Sequence, residues 1–155
     1  MNRDFVEMLS ALSAAGAEFL LVGAHALSVY GVPRSTGDMD LWVHATPENA
    51  ARVWQALTTF GAPLVELSPD DFTQPETVFQ FGVPPNRIDM LTTLSGVDFE
   101  TAWNRRGTVR VEGIDVPLIG REDFVANKRA TGRPKDLSDL ALLEESERAD
   151  RARPS

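Results

Sequence analysis

The sequence predicts an α/β (α+β) protein, and three observations carry that expectation. The stretch 20–43, LLVGAHALSVYGVPRSTGDMDLWV, passes from an apolar run through a glycine into a helical segment, then returns to an apolar run. Two segments, near 5–15 and 47–60, repeat apolar residues at helical spacing. Short β-type runs at 78–81 and 87–91, and at 108–111 and 114–118, come in pairs separated by turn residues.

Phe5, Met8, Leu9, Leu12 and Ala15 mark one face of the first helix, and Gly16 supplies its stop. Residues 18–22 read as the first strand. Gly23 ends that strand and opens a helix, so the amides of Gly23, Ala24 and His25 can face an anion. His25 lies within reach of a phosphate or nucleobase at this point, the alternative being a structural hydrogen-bonding histidine. Gly and Pro make 31–37 a loop. Arg34 and Thr36 stand close enough to the acids that follow to reach the same site, although Arg34 reads equally well as a solvated loop charge. In Asp38-Met39-Asp40-Leu41-Trp42-Val43, strand geometry puts Asp38 and Asp40 on one face and Met39 and Leu41 on the other. Carboxylates so placed repel unless a cation lies between them. A hard divalent ion with oxygen ligands, Mg²⁺ above all, suits the pair. The bland alternative is a turn residue beside a solvated strand-end charge.

Thr46 suits an N-cap and Pro47 a first helical position, with Gly61 closing the helix. Ala50, Val53, Trp54, Leu57 and Phe60 form its apolar stripe, so Trp54 reads as core. Residues 64–67 are expected as a short strand and 68–75 as a loop or single turn. Asp89 sits inside the apolar run Ile88-Asp89-Met90-Leu91, where a carboxylate is costly unless paired or metal-bound. A salt bridge to Arg87 is the alternative, and the alternation of strand faces, applied to these two, speaks against it. Residues 97–103 form a short helix. Arg105, Arg106 and Arg110 make either a polyanion surface or a solvated face. Helices follow at 121–131, stopped by Gly132, and at 136–147. Lys128, a point charge on a flexible stem, suits a phosphate contact. Asp136 reads as an N-cap or as a functional group, and Asp139, one turn on, can orient Lys128 or Arg133. Residues 144–155 are charged without apolar periodicity and are expected as a flexible tail, leaving 1–143 as one domain.

A chain of 155 residues with 43% hydrophobic residues and no cysteine suits one globular domain and excludes disulfides, thiolate zinc sites and cysteine nucleophiles. No apolar run approaches the roughly 20 residues of a membrane helix, and the start of the chain lacks the layout of a signal peptide. The expected compartment is cytoplasmic, with no membrane partner. A net charge of −8 argues against a general nucleic-acid coat protein. No P-loop or Rossmann glycine fingerprint is present.

Taken in order, Gly23-Ala24, Asp38-Met39-Asp40, Asp89 and the string from Lys128 to Asp139 resemble the nucleotidyltransferases of the polymerase-β superfamily over about positions 18 to 140. Pro33-Arg34-Ser35-Thr36-Gly37, and the order Lys, Arg, Asp-x-x-Asp near the end, are similar to the small bacterial branch that includes abortive-infection and toxin-type enzymes. Ala24 departs from the Gly or Ser usual there, so a hydroxyl is absent while the amide remains. The resemblance implies the nucleotidyltransferase fold, a mixed central sheet flanked by helices with C-terminal helices. It implies Mg²⁺-dependent transfer of an NMP from an NTP to an acceptor hydroxyl, with release of pyrophosphate. Asp38, Asp40 and Asp89 would be the catalytic and metal-binding residues of a two-metal site, which Mn²⁺ also suits. Gly23, Ala24, His25, Arg34, Thr36, Lys128 and Arg133 would bind nucleotide, with Asp136 and Asp139 in support. The implied partners are an NTP, an RNA or protein acceptor, and a cognate antitoxin or other partner protein. Two further classes stand beside this one. A non-catalytic, antitoxin-like regulatory protein of the same fold is favoured by Ala24 and small size and disfavoured by three carboxylates. A metal-dependent phosphohydrolase is usually richer in histidine than a chain with only His25 and His44.

Overall fold

The structure, a computed structural model, describes residues 1–33 and 37–153. Asn2 caps the first helix, α1 (Arg3–Ala14), its side-chain oxygen accepting from the amides of Asp4 and Phe5. The periodic residues Phe5, Met8, Leu9 and Leu12 form its buried face. Strand β1 (Phe19–Val22) is buried at every position, as a strand covered on both faces must be. Helix α2 (Gly23–Val29) follows directly, and strand β2 (Asp38–Val43) returns antiparallel to β1, with Val22 opposite Asp40. Met39 and Leu41 are fully buried, as the alternation of faces requires.

Helix α3 (Pro47–Phe60) packs against α1 and ends on Gly61, whose φ of 91° is the left-handed conformation that a helix stop favours. Asn49, almost fully buried in its first turn, has its amide satisfied from both strand ends: the oxygen accepts from the Glu18 amide at 2.6 Å, and the nitrogen donates to the Glu18 and His44 carbonyls at 2.9 Å each. The strand expected at 64–67 is instead a turn closed by the Leu67 amide on the Leu64 carbonyl, with Val65 98% exposed. Among the described residues no strand pairs with it, and β propensity without a ladder does not hold a strand. A short 3-10 helix (Pro69–Thr73) leads on to β3 (Val78–Phe81) and β4 (Arg87–Leu91), which form the expected antiparallel pair. Helix α4 (Phe99–Asn104), capped by Asp98, precedes the hairpin of β5 (Gly107–Val111) and β6 (Ile114–Leu118).

The six strands form one mixed sheet in the order β3-β4-β2-β1-β6-β5. Strand β4 lies parallel to β2, and β6 lies parallel to β1. Helices α5 (Arg121–Thr131) and α6 (Pro134–Ala152) pack against each other. Helix α6 begins two residues before the expected start, because the Asp136 carboxylate reaches back to accept from the Arg133 amide at 3.1 Å. Arg133 is therefore the N-cap and Asp136 the third helical residue. Helix α6 also continues to Ala152 through the segment expected as a tail. Two contacts tether that segment: Arg121 donates to Glu147 at 2.6 and 2.7 Å, and the Ser146 hydroxyl donates to the Gly31 carbonyl at 3.1 Å. The sequence pattern there lacks an apolar stripe because polar contacts, not burial, hold that part of the helix. Among the described residues no helix is long and apolar enough to cross a membrane.

Candidate active site

The turn from β1 into α2 sets the floor of the site. Gly23 has φ +69°, and a Cβ added to it would lie 2.2 Å from the Asp40 Oδ2 atom. The carboxylate of β2 thus rests on the glycine backbone, which explains why this residue has no side chain. Among the described residues no side chain caps the start of α2. Gly23→Ala is expected to lose about 2–5 kcal/mol, the left-handed penalty added to the overlap with Asp40. Urea unfolding of the variant beside wild type measures it.

Strand β4 brings the third acid in. Its parallel register with β2 sets Asp38 opposite Arg87 and Asp40 opposite Asp89. Burial first, then the neighbouring Asp89 charge, a hydrogen bond with the Asp89 carboxyl and the charge of Asp38 push the Asp40 carboxyl up to about 6, while Lys128 opposes them. Asp38, Asp40 and Asp89 therefore converge.

Arg87 enters the same cluster. Its Nη2 donates to Asp38 Oδ2 at 2.8 Å, and its Nε donates to Asp89 Oδ1 at 3.1 Å. Arg87 and Asp89 stand two residues apart and so share a face of β4, which corrects the expectation that the strand would separate them. Sequence reasoning had the signal, the spacing Arg-x-Asp, and misapplied it.

Lys128 and its two acids come from the far end of the chain. Lys128 Nζ lies 3.5 Å from Asp136 Oδ1 and 3.6 Å from Asp139 Oδ2, and its ammonium sits over the Phe124 ring at 5.5 Å. Burial pushes the lysine down, and the charge of Asp136 and a hydrogen bond to it push back. Asp139, expected to orient Lys128 or Arg133, lies against Lys128. Arg133, expected to bind nucleotide, has its guanidinium engaged by Asp136, at 2.8 Å from Nε and 3.1 Å from Nη2.

His25 is half-buried, edge-on to the Phe5 ring, with a hydrogen bond to the Asp38 backbone. Burial lowers its pKa, so the imidazole is neutral, and its Nε2 is buried without a hydrogen-bond partner among the described residues. Through that hydrogen bond it ties the start of α2 to the start of β2. His44 lies at the opposite end of β2, stacked on Phe99 and bonded to Glu18 at 3.0 Å. Arg34 and Thr36 lie outside the described residues.

No protein-family model matches the sequence, and no curated protein does. Solved structures do match. A crystal structure of a candidate nucleotidyltransferase from Thermotoga maritima superposes with a TM-score of 0.57 at 14% identity, covering 97% of this chain and 92% of that one. The lincosamide antibiotic adenylyltransferase LnuA, in its lincomycin-bound crystal structure, superposes with a TM-score of 0.55 at 13% identity, covering 93% and 96%. The chain has the nucleotidyltransferase fold.

The fold expected from the sequence is thus the fold observed, a mixed six-stranded sheet with flanking and C-terminal helices. Within this nucleotidyltransferase fold the three acids converge on the adjacent strands β2 and β4, beside the end of β1. Whether they suit a divalent cation can be tested on their chemistry. The donors are hard carboxylate oxygens, and the Asp40 carboxyl, pushed up by burial first and then by the neighbouring acids, is one whose ionised form a cation would favour, which fits such an ion. Among the described residues, however, no group of three His, Asp or Glu side chains is already placed to hold one. Arg87 is bonded to two of the three acids.

Proposed function

We propose that this chain is a nucleotidyltransferase that moves an NMP from an NTP to an acceptor hydroxyl and releases pyrophosphate. The observation that carries the reading is the pairing of Asp40 with Asp89 in register on adjacent parallel strands, with the Asp40 carboxylate laid on Gly23. Asp38, Asp40 and Asp89 would hold the divalent metal, Mg²⁺ with Mn²⁺ as a substitute. When bound, the metal neutralises charge on the attacking and leaving oxygens and makes the acceptor hydroxyl more acidic.

The chain's own groups do the rest. The amides at Gly23 and Ala24 and the Lys128 ammonium hold the triphosphate, Lys128 being kept in place by Asp136 and Asp139. The acceptor oxygen forms a bond to the α-phosphorus, the bond from that phosphorus to the bridging oxygen breaks, and pyrophosphate leaves. Asp89 takes the hydroxyl proton. The acceptor is an RNA or protein hydroxyl in a toxin-type role in the cytoplasm of a bacterium, with an antitoxin as cognate partner. The likeness to an adenylyltransferase solved with lincomycin adds a small hydroxylated molecule to the acceptors worth assaying.

Calorimetric titration of each NTP with Mg²⁺ into wild type and Asp40→Ala tests the reading. Micromolar binding by wild type that disappears in the variant is the expected result. One observation favours a second reading, a non-catalytic protein that keeps the fold for binding a partner: Arg87 already supplies a cation to two of the acids. The absence of any NTP binding by folded wild type would select it.

A further inference from the structure

We infer that Arg87 is a positioning residue that competes with the divalent cation for Asp38 and Asp89 and so sets the metal affinity of the site. This rests on the metal-dependent reading above. Arg87 opens β4 directly opposite Asp38, and Asp89 follows two residues later on the same face. One guanidinium therefore reaches acids on two strands: Nη2 to Asp38 Oδ2 at 2.8 Å, Nε to Asp89 Oδ1 at 3.1 Å, and Nη2 to Asp89 Oδ2 at 3.4 Å. A planar fork with fixed donors suits such a bridge, whereas an ammonium would engage as a single point charge.

Both oxygens of Asp89 and one of Asp38 are thereby taken by N–H donors. A cation cannot coordinate an oxygen lone pair that is directed at an N–H group, and two positive charges within a few ångströms repel. Each oxygen keeps a second lone pair, so the guanidinium competes by charge repulsion and by holding these carboxylates in its own geometry. Arg87 is only partly exposed, with 34% of its side-chain surface open, and the bridge is shielded accordingly. The bridge makes metal entry depend on nucleotide. A bare ion has to displace Arg87 unaided, while the negative triphosphate favours the ion and offers the displaced guanidinium new acceptors.

The experiment is Mn²⁺ titration, followed by electron paramagnetic resonance of the free ion, of wild type, Arg87→Met and Arg87→Lys, each with and without a non-hydrolysable NTP analogue. Arg87→Met is expected to bind Mn²⁺ alone at least tenfold more tightly than wild type. Arg87→Lys should fall between them, and the gain in Mn²⁺ affinity on adding nucleotide should be smaller in both variants. A residue that merely holds the strands together would weaken metal binding when removed, not strengthen it. Mn²⁺ affinity in the variants equal to or below that of a metal-binding wild type overturns the inference and leaves the metal-dependent reading intact. Should no variant and no wild-type sample bind Mn²⁺ even with nucleotide, the metal-dependent reading falls and this inference with it. Circular dichroism verifies the fold of each variant, and Arg87→Lys alone decides the matter if the methionine variant does not fold.

Discussion

Asp40→Asn is expected to lose the proposed nucleotidyl transfer by at least about a thousandfold, some 4 kcal/mol of transition-state stabilisation, while the metal-free protein becomes more stable at neutral pH. The two effects have one cause. Asp40 sits against Gly23 and opposite Asp89, with its carboxyl pushed up to about 6 by burial and by the neighbouring acids. In the unfolded chain it returns to the ordinary carboxylate value near 3.8. Between these values the folded state holds more protons than the unfolded one, so this group's contribution to stability is complete below about 4 and is lost as pH rises through about 6. By pH 7 the folded protein carries the full penalty, on the order of 1–3 kcal/mol. A neutral amide of the same shape removes it. Thermal melts in chelator at pH 4 and pH 7 should bring the two proteins close together at the lower pH and place the variant higher at the upper one. Adding Mg²⁺ with NTP should raise the wild-type midpoint and leave the variant unmoved. A variant that melts with wild type at both pH values would remove the electrostatic account of the site.

Asp136→Ala is expected to be the most destabilising single change at the C-terminal end of the chain. The carboxylate is fully buried and accepts from the Arg133 amide at 3.1 Å, Arg133 Nε at 2.8 Å, Arg133 Nη2 at 3.1 Å and Lys128 Nζ at 3.5 Å. The hydrogen bond from Arg133, with help from Thr131 and Lys128, holds its pKa well below the usual carboxylate range. Truncation removes the cap of α6 and strips Lys128 of one of its two acids. Its cover is the exposed side chain of Arg133 rather than deep core, so the loss is placed at about 2–4 kcal/mol, toward the lower end for a broken buried pair. For a chain of this length that corresponds to a midpoint roughly 5–15 °C lower. The pH dependence has the opposite sign to that of Asp40. A depressed acid contributes fully above its unfolded value and loses that contribution as pH falls below about 4, so the variant should lack part of the acid limb seen in wild type. Urea unfolding at pH 7 and pH 3 reads both effects, and a variant equal to wild type at pH 7 would show that Arg133 and Lys128 find other partners.

Much of this molecule is written locally. The stripe of α1, the Thr46 cap and Gly61 stop of α3, the turn glycine at 23 and the shared face of Asp38 and Asp40 follow from periodicities of 3.6 and 2.0 that any stretch of chain imposes on itself. Those features could be read residue by residue, and the order of the acids already suggested the fold. What they could not contain is register between strands far apart in sequence. Asp89 faces Asp40 because β4 runs parallel to β2 in one particular alignment, and a shift of one residue would have turned it to the other face. Arg87 bridges two acids only because that same alignment carries Asp38 to it, and Lys128 meets Asp136 and Asp139 only because α5 packs on α6. The sequence by itself determined most of the helices and strands and which carboxylates were available. The tertiary structure alone decided which charges meet, because pairing across strands and helices is fixed by the burial of the whole sheet and not by any segment within it.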